Sequence, residues 1–184
     1  MIYLEELTNT RPSKSSTMVA SISSKILQLR KESIKQSLSD PTTIGHRQEY
    51  VDTVDGVMYY DDSRAENVNA TWFTFENIVR PVIWIAGGND SQIDIKDLKR
   101  AVKKKVKALI FLGDDNSELT KAFQKDVKDI YYSSCLEDAV KTASLLAQED
   151  DIVLFSPACK SSNAYETYNE RGNLFAETVK QMKQ

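Results

Sequence analysis

The 184-residue chain carries 24 Lys and Arg against 27 Asp and Glu, a formal net charge of -3, which gives nucleic acid no general electrostatic footing. Hydrophobic residues are 41% and charged residues 28% of the total, the balance of an ordinary soluble protein with one good core. No apolar run suits a membrane span, no secretory leader pattern opens the chain, and Cys135 and Cys159 make neither a CxxC motif nor a disulfide framework, so the sequence reads as cytoplasmic with reduced thiols.

Residues 1–16 show no clear period and form a lead-in. Met18, Ile22, Ile26 and Leu29 then recur at helical spacing, with Ser15, Ser16 or Thr17 available as N-cap. Ile34 and Leu38 suggest a second short helix, ended by Asp40-Pro41. The turn-rich stretch 41–45 divides a helical segment, 1–44, from a domain over 45–184. That domain opens with a hairpin: a strand over 47–54, an Asp55-Gly56 turn, and a strand over 57–61.

Strands and helices alternate from there. Val68, Trp72, Phe75 and Val79 share a helical face, and Asn67 can start that helix. Residues 82–86 form a nearly all-apolar strand of the kind covered on both faces. Ile95, Leu98, Val102 and Val106 give the next helix, and 108–112 the next strand. Leu119, Ala122 and Phe123 mark a short helix, and 130–132 a strand. Ser134-Cys135-Leu136-Glu137 has the capping-box pattern, ahead of a helix carrying Leu136, Ala139, Val140, Ala143 and Leu146. Residues 152–155 make the last strand, and Leu174, Phe175, Val179 and Met182 lie on the last helix. The fold expected is α/β: a Rossmann-like three-layer domain with a mainly parallel sheet of about six strands and one antiparallel edge strand. Its ligand-facing rim then comprises Asp62-Ser63, Gly87-Gly88, Gly113-Asp114 and Ser156-Pro157.

Several residues there invite a chemical reading. Neither G-x-x-x-x-G-K-[ST] nor GxGxxG occurs, which disfavours a self-sufficient nucleotide-binding enzyme of either kind. His46 and Arg47 either meet a phosphate or simply start the hairpin, in solvent or packed on the joint. Asp61 and Asp62 either help hold Mg2+ or form a solvated strand end. Gly87-Gly88-Asn89-Asp90 either lets a ligand approach the backbone or makes a plain tight turn. Lys99, Arg100, Lys103, Lys104, Lys105 and Lys107 interleave with apolar residues at helical period, the pattern of a solvated helix face. Cys159 has only His46 as a potential base and is expected to be a buried, inert thiol.

Four segments carry a resemblance in their order and spacing. They are His46-Arg47-x-Glu49, Gly56 through Asp62-Ser63-Arg64-Ala65-Glu66-Asn67, Ile85-Ala86-Gly87-Gly88, and Ser156-Pro157-Ala158-Cys159 through Tyr168-Asn169-Glu170-Arg171-Gly172. Together they resemble the C-terminal domain of the Mur ligases, most of all its D-glutamate-adding branch in peptidoglycan precursor synthesis. The resemblance extends to residues 1–44, which look like the closing helices of that family's central domain. It implies an ATP-dependent ligation through an acyl phosphate, in which this domain brings the amino acid. A central domain, upstream or in trans, would supply the P-loop, ATP and Mg2+. No cofactor is expected for this chain alone.

The resemblance also assigns residues. Arg47 and Asp62 would face ATP; Ser63, Arg64, Glu66, Asn67, Ser91, Ser161, Ser162 and Tyr168 would face a small amino-acid-like ligand. No catalytic or metal-binding residue is implied. The departures are specific. The family's H-N-x-x-N adenine motif is absent near 13–17. D-S-K-A-T-N reads Asp62-Ser63-Arg64-Ala65-Glu66-Asn67, placing a carboxylate where D-glutamate docks. G-G-x-D-K-G reads Gly87-Gly88-Asn89-Asp90-Ser91-Gln92, and S-P-A-C-A-S reads Ser156-Pro157-Ala158-Cys159-Lys160-Ser161. The usual Phe of N-F-E-x-R-G is Tyr168. Two expectations follow: a divergent amino-acid-binding domain of a Mur-type ligase that cannot ligate by itself, or a degenerate stand-alone paralogue serving as a binding or regulatory module.

Overall fold

The computed structural model describes residues 45–87, 96–113, 118–161 and 165–183. The helical segment expected over 1–44 lies outside them, as do Ser91, Ser162, Gly88, Ile95 and Asp114. Six strands are present among the described residues: β1 (Glu49–Val54), β2 (Val57–Asp61), β3 (Val82–Gly87), β4 (Val106–Leu112), β5 (Asp129–Ser133) and β6 (Ile152–Phe155). The helices among the described residues are α1 (Val68–Asn77), α2 (Lys96–Lys105), α3 (Glu118–Phe123), α4 (Leu136–Leu146) and α5 (Tyr168–Gln181). None is long and apolar enough to cross a membrane.

The sheet runs β1-β2-β6-β3-β4-β5. Only the β1–β2 pair is antiparallel, which is the edge hairpin expected from Asp55-Gly56. Asp55 at φ 50° and Gly56 at φ 78° supply the two left-handed residues that such a turn needs. The last strand in sequence, β6, inserts between β2 and β3. Its parallel pairing with both brings the loops after β2, β3 and β6 to one rim.

Alternation along the strands builds two apolar layers. Trp84, Leu109, Phe111 and Leu154 face α1, α2 and α3, joining Phe75, Leu98, Val102 and Phe123. Ile83, Ile85, Val153 and Phe155 face α4 and α5, joining Leu136, Val140, Phe175 and Val179. Phe75 meets Trp84 edge-on at 5.3 Å, and Phe155 stacks on Phe175 at 5.3 Å. The result is the three-layer α/β domain expected.

Local boundaries differ where backbone conformation intervenes. β1 starts at Glu49 because His46 and Gln48 are left-handed, at φ 65° and 47°. α1 ends at Asn77, so Val79 is 94% exposed and does not share the buried face of Phe75. Val106 opens β4 and does not extend α2. The capping box at Ser134 is not formed: α4 begins at Leu136 with Cys135 as N-cap and no side-chain cap bond. The Ser133 hydroxyl instead donates to the Cys135 carbonyl at 2.8 Å. The basic run forms the expected solvated helix face only in part: Lys105 is half-buried and donates to the Phe75 carbonyl, and Lys107 stands on β4 paired with Asp151. Lys99, Arg100, Lys103 and Lys104 are exposed, while Leu98, Ala101 and Val102 are buried.

Candidate functional site

β2 ends in two adjacent carboxylates, and the pleat sends them to different surroundings. Both are 1% exposed, so a solvated strand end does not describe them. Asp62 accepts hydrogen bonds from the Thr74 hydroxyl of α1 (2.7 Å), the Ser156 hydroxyl after β6 (2.7 Å) and the Gln48 N–H (3.3 Å). Thr71 donates to Ser156 in turn, at 2.8 Å, since the single Ser156 proton goes to Asp62. Burial raises the Asp62 carboxyl from 3.8 to about 6, against the downward pull of these hydrogen bonds and the Arg47 charge. As it stands, Asp62 ties β1, α1 and β6 together and is closed to solvent. Arg47 is half-buried beside it. Of the two residues expected to face a nucleotide, Arg47 is the one that is not fully buried.

Asp61 turns to the other side. Its Oδ2 lies 2.6 Å from His46 Nδ1, and its Oδ1 accepts the Ser63 N–H at 2.8 Å. The lone histidine therefore has a partner, and is neither a free phosphate ligand nor a solvated hairpin residue.

The residues expected to face an amino-acid-like ligand divide. Ser63 is fully buried, with its hydroxyl unpartnered. Arg64 is exposed, with its guanidinium 5.4 Å from the centre of the Tyr168 ring. Glu66 is half-buried, and Tyr168 half-buried with its ring edge-on to His46 at 6.4 Å. Asn67 caps α1, its Oδ1 accepting the Ala70 N–H at 2.9 Å. The Ser161 hydroxyl is buried and has no hydrogen-bond partner.

Sequence reasoning missed the residue that fastens these loops. Arg171, 3% exposed in α5, donates to the Ser63 carbonyl through Nε (3.1 Å) and Nη2 (2.6 Å), and to the Cys159 carbonyl at 3.1 Å. Burial lowers its pKa, partly offset by Cys159, Glu66 and Asp61 nearby. Arg171 was visible within the fourth family segment, but its partners are backbone carbonyls, which leave no mark in a sequence. Gly172 follows it and lets α5 lie directly on His46, Ser63 and Asp61. Gly87 meets protein and not an open ligand path. Its N–H donates to the Pro157 carbonyl at 3.1 Å, its carbonyl accepts the Cys159 thiol, and Leu112 lies against its Cα. Cys159 is buried, as expected.

Fold and rim together define a Rossmann-like domain in which Arg171 fastens the loops after β2 and β6 to the start of α5. The family model for the Mur ligase, glutamate ligase domain matches residues 46–159, and the chain belongs to the Mur ligase family. The UDP-N-acetylmuramoylalanine--D-glutamate ligase of Salinibacter ruber is 39% identical over 163 residues, covering 89% of this chain and 35% of the relative. The protein of that name from Porphyromonas gingivalis is 38% identical over 162 residues, covering 88% and 36%. The chain thus spans little more than a third of the curated relatives it matches. Among solved structures, the bifunctional folylpolyglutamate synthase/dihydrofolate synthase of Yersinia pestis superposes with a TM-score of 0.50 at 15% identity. It covers 76% of this chain and 32% of that one, a likeness of fold.

Proposed function

We propose that this domain binds an amino-acid-like ligand for an ATP-dependent acid–amino acid ligase of peptidoglycan precursor synthesis. It works in the cytoplasm beside a P-loop domain, in the same chain or in trans, and does not ligate alone. The supporting observation is the rim itself. Arg171 holds the Ser63 and Cys159 loops together, leaving the buried Ser161 hydroxyl unpartnered and Arg64 stacked against Tyr168 at the edge. An unpartnered buried hydroxyl is costly unless a ligand completes it. ATP with Mg2+, when present, supplies the activation of the acid. This chain's part is to place the amino group and exclude water, with Arg47 turned toward the nucleotide.

Glu66 sets the ligand class. A half-buried carboxylate in the position corresponding to the family threonine disfavours a second acidic side chain, so the ligand is less acidic than D-glutamate. Calorimetric titration of the full chain tests this. D-glutamine, the neutral isostere, is expected to bind about tenfold or more tighter than D-glutamate, and Glu66→Thr to reverse the order. D-glutamate binding as tightly as D-glutamine overturns the assignment. The closed Asp62 favours a second reading, a degenerate module without nucleotide chemistry. A thermal shift with ATP-Mg2+ would rule that reading out.

A further inference from the structure

We propose that His46, Glu49 and Asp61 form a binding site for a divalent cation of the Zn2+ class, at the β1–β2 edge of the rim. One donor atom from each of the three lies within 4.8 Å of the others. The backbone builds this convergence. Glu49 and Asp61 are cross-strand partners, which places their side chains on one face of the hairpin. The left-handed residues His46 and Gln48 fold the incoming chain back over that face. His46 consequently donates its N–H to Glu49 Oε2 at 2.7 Å, while its Nδ1 stands 2.6 Å from Asp61 Oδ2. Exposure rises from buried Asp61 through half-buried His46 to exposed Glu49, so a cation has an open approach on the Glu49 side.

The second, independent observation is Ser63. This side chain is fully buried, and its hydroxyl has no hydrogen-bond partner. That hydroxyl points into the same cluster. It lies 2.4 Å from the position a Gly172 Cβ would take, with His46 Nδ1 at 2.3 Å and Asp61 Oδ2 at 2.6 Å from the same position. Gly172 walls this side of the cluster. A hydroxyl left bare beside an imidazole nitrogen and a carboxylate is explained if a cation completes the group.

The donor set decides the class. One imidazole nitrogen and two carboxylates suit tetrahedral Zn2+, with the hydroxyl or a water in the fourth place. Mg2+ prefers oxygen ligands and keeps its waters, and the absence of thiolate or thioether disfavours Cu(I). Binding needs the Nδ1 lone pair, so the imidazole must carry its proton on Nε2. The 2.6 Å gap to Asp61 must also open to about 3.3 Å, the separation of two ligands on one tetrahedral ion. The site shares only Ser63 with the amino-acid reading and does not depend on it.

The test is titration of chelator-treated full chain with ZnCl2 by calorimetry, with Co2+ absorption reporting geometry. One Zn2+ per chain is expected, and a tetrahedral Co2+ spectrum without a thiolate charge-transfer band. Glu49→Gln alters an exposed side chain. It should leave the melting of the metal-free protein unchanged and weaken Zn2+ binding about tenfold or more. His46→Gln should abolish binding, Cys135→Ser should leave it intact, and excess Mg2+ should not compete. Absence of stoichiometric binding, binding unchanged in both Glu49→Gln and His46→Gln, or loss in Cys135→Ser each overturns the site.

Discussion

Replacing Gly172 with alanine adds one methyl group to α5, and helix propensity alone would reward it by about 1 kcal/mol. In this chain the new Cβ would stand 2.3 Å from His46 Nδ1, 2.4 Å from Ser63 Oγ and 2.6 Å from Asp61 Oδ2. All three distances are far inside van der Waals contact, and the residues behind the three atoms are held in place. His46 and Asp61 hold each other at 2.6 Å, Asp61 also holds the Ser63 N–H, and Arg171 holds the Ser63 carbonyl. Either α5 lifts or the cluster breaks. Overpacking of this kind costs about 1–3 kcal/mol, and weakening a hydrogen bond to a charged group about 1.5–3 kcal/mol. After the helix-propensity gain, the net loss is about 1.5–5 kcal/mol. At about 2–4 °C per kcal/mol for a chain of this size, melting should fall by about 3–20 °C. Urea denaturation and thermal melts of wild type and Gly172→Ala measure it, and Gly172→Ala/Ser63→Gly, which removes one collision, should recover part of the loss. Stability equal to or above wild type would refute the packing argument, because that is what an unobstructed helix gives.

Two further outcomes follow from the rim. The folded Asp62 carboxyl, at about 6 against an ordinary 3.8, holds its proton more tightly than the unfolded chain does. Its contribution to stability is therefore full below the unfolded pKa and lost as pH rises through about 6. Relative to the non-titrating Asp62→Asn, wild type should gain about 1 kcal/mol between about pH 7.5 and about pH 5, read from melts at both; a difference that stays flat, or shrinks, contradicts the burial argument. Arg171→Lys keeps the charge but cannot serve the Ser63 and Cys159 carbonyls with one ammonium. A loss of about 2–3 kcal/mol in urea denaturation is expected, and a loss below about 0.5 kcal/mol would mean the clamp is dispensable.

The elements that sequence reasoning placed well are those whose signal is local. Asp55-Gly56 marked the hairpin, the all-apolar run after Pro81 marked a strand covered on both faces, and Asn67 marked the start of α1. Errors came at boundaries that depend on neighbours. Val79 fits the apolar period of α1, yet the chain leaves the helix at Ile78 and Val79 faces solvent. Ser134 fits a capping box, yet the helix starts one residue too late for it. Motif spacing singled out Asp62-Ser63 and Ser156 onward, which the sheet brings to one rim, but could not say that Asp62 is consumed by Thr74, Ser156 and Gln48. Hydrogen bonds between segments distant in sequence are not encoded in either segment alone.

By itself the sequence determined the class of fold, the family and the order of the segments that line the rim. Periodicity and turn chemistry act over a few residues, and motif spacing survives in one dimension. Only the tertiary structure decided which groups meet. A two-residue turn alone would carry Tyr50 opposite Asp61; the irregularity between Tyr50 and Asp52 shifts the register and brings Glu49 there instead. The left-handed approach at His46 then completes a cluster in which the chain's single histidine finds both its carboxylates. The pleat sent Asp61 and Asp62 apart, and the close approach of α5 at Gly172 closed the cluster from behind. Each of these depends on strand register and helix packing, which are settled by the burial of the whole core.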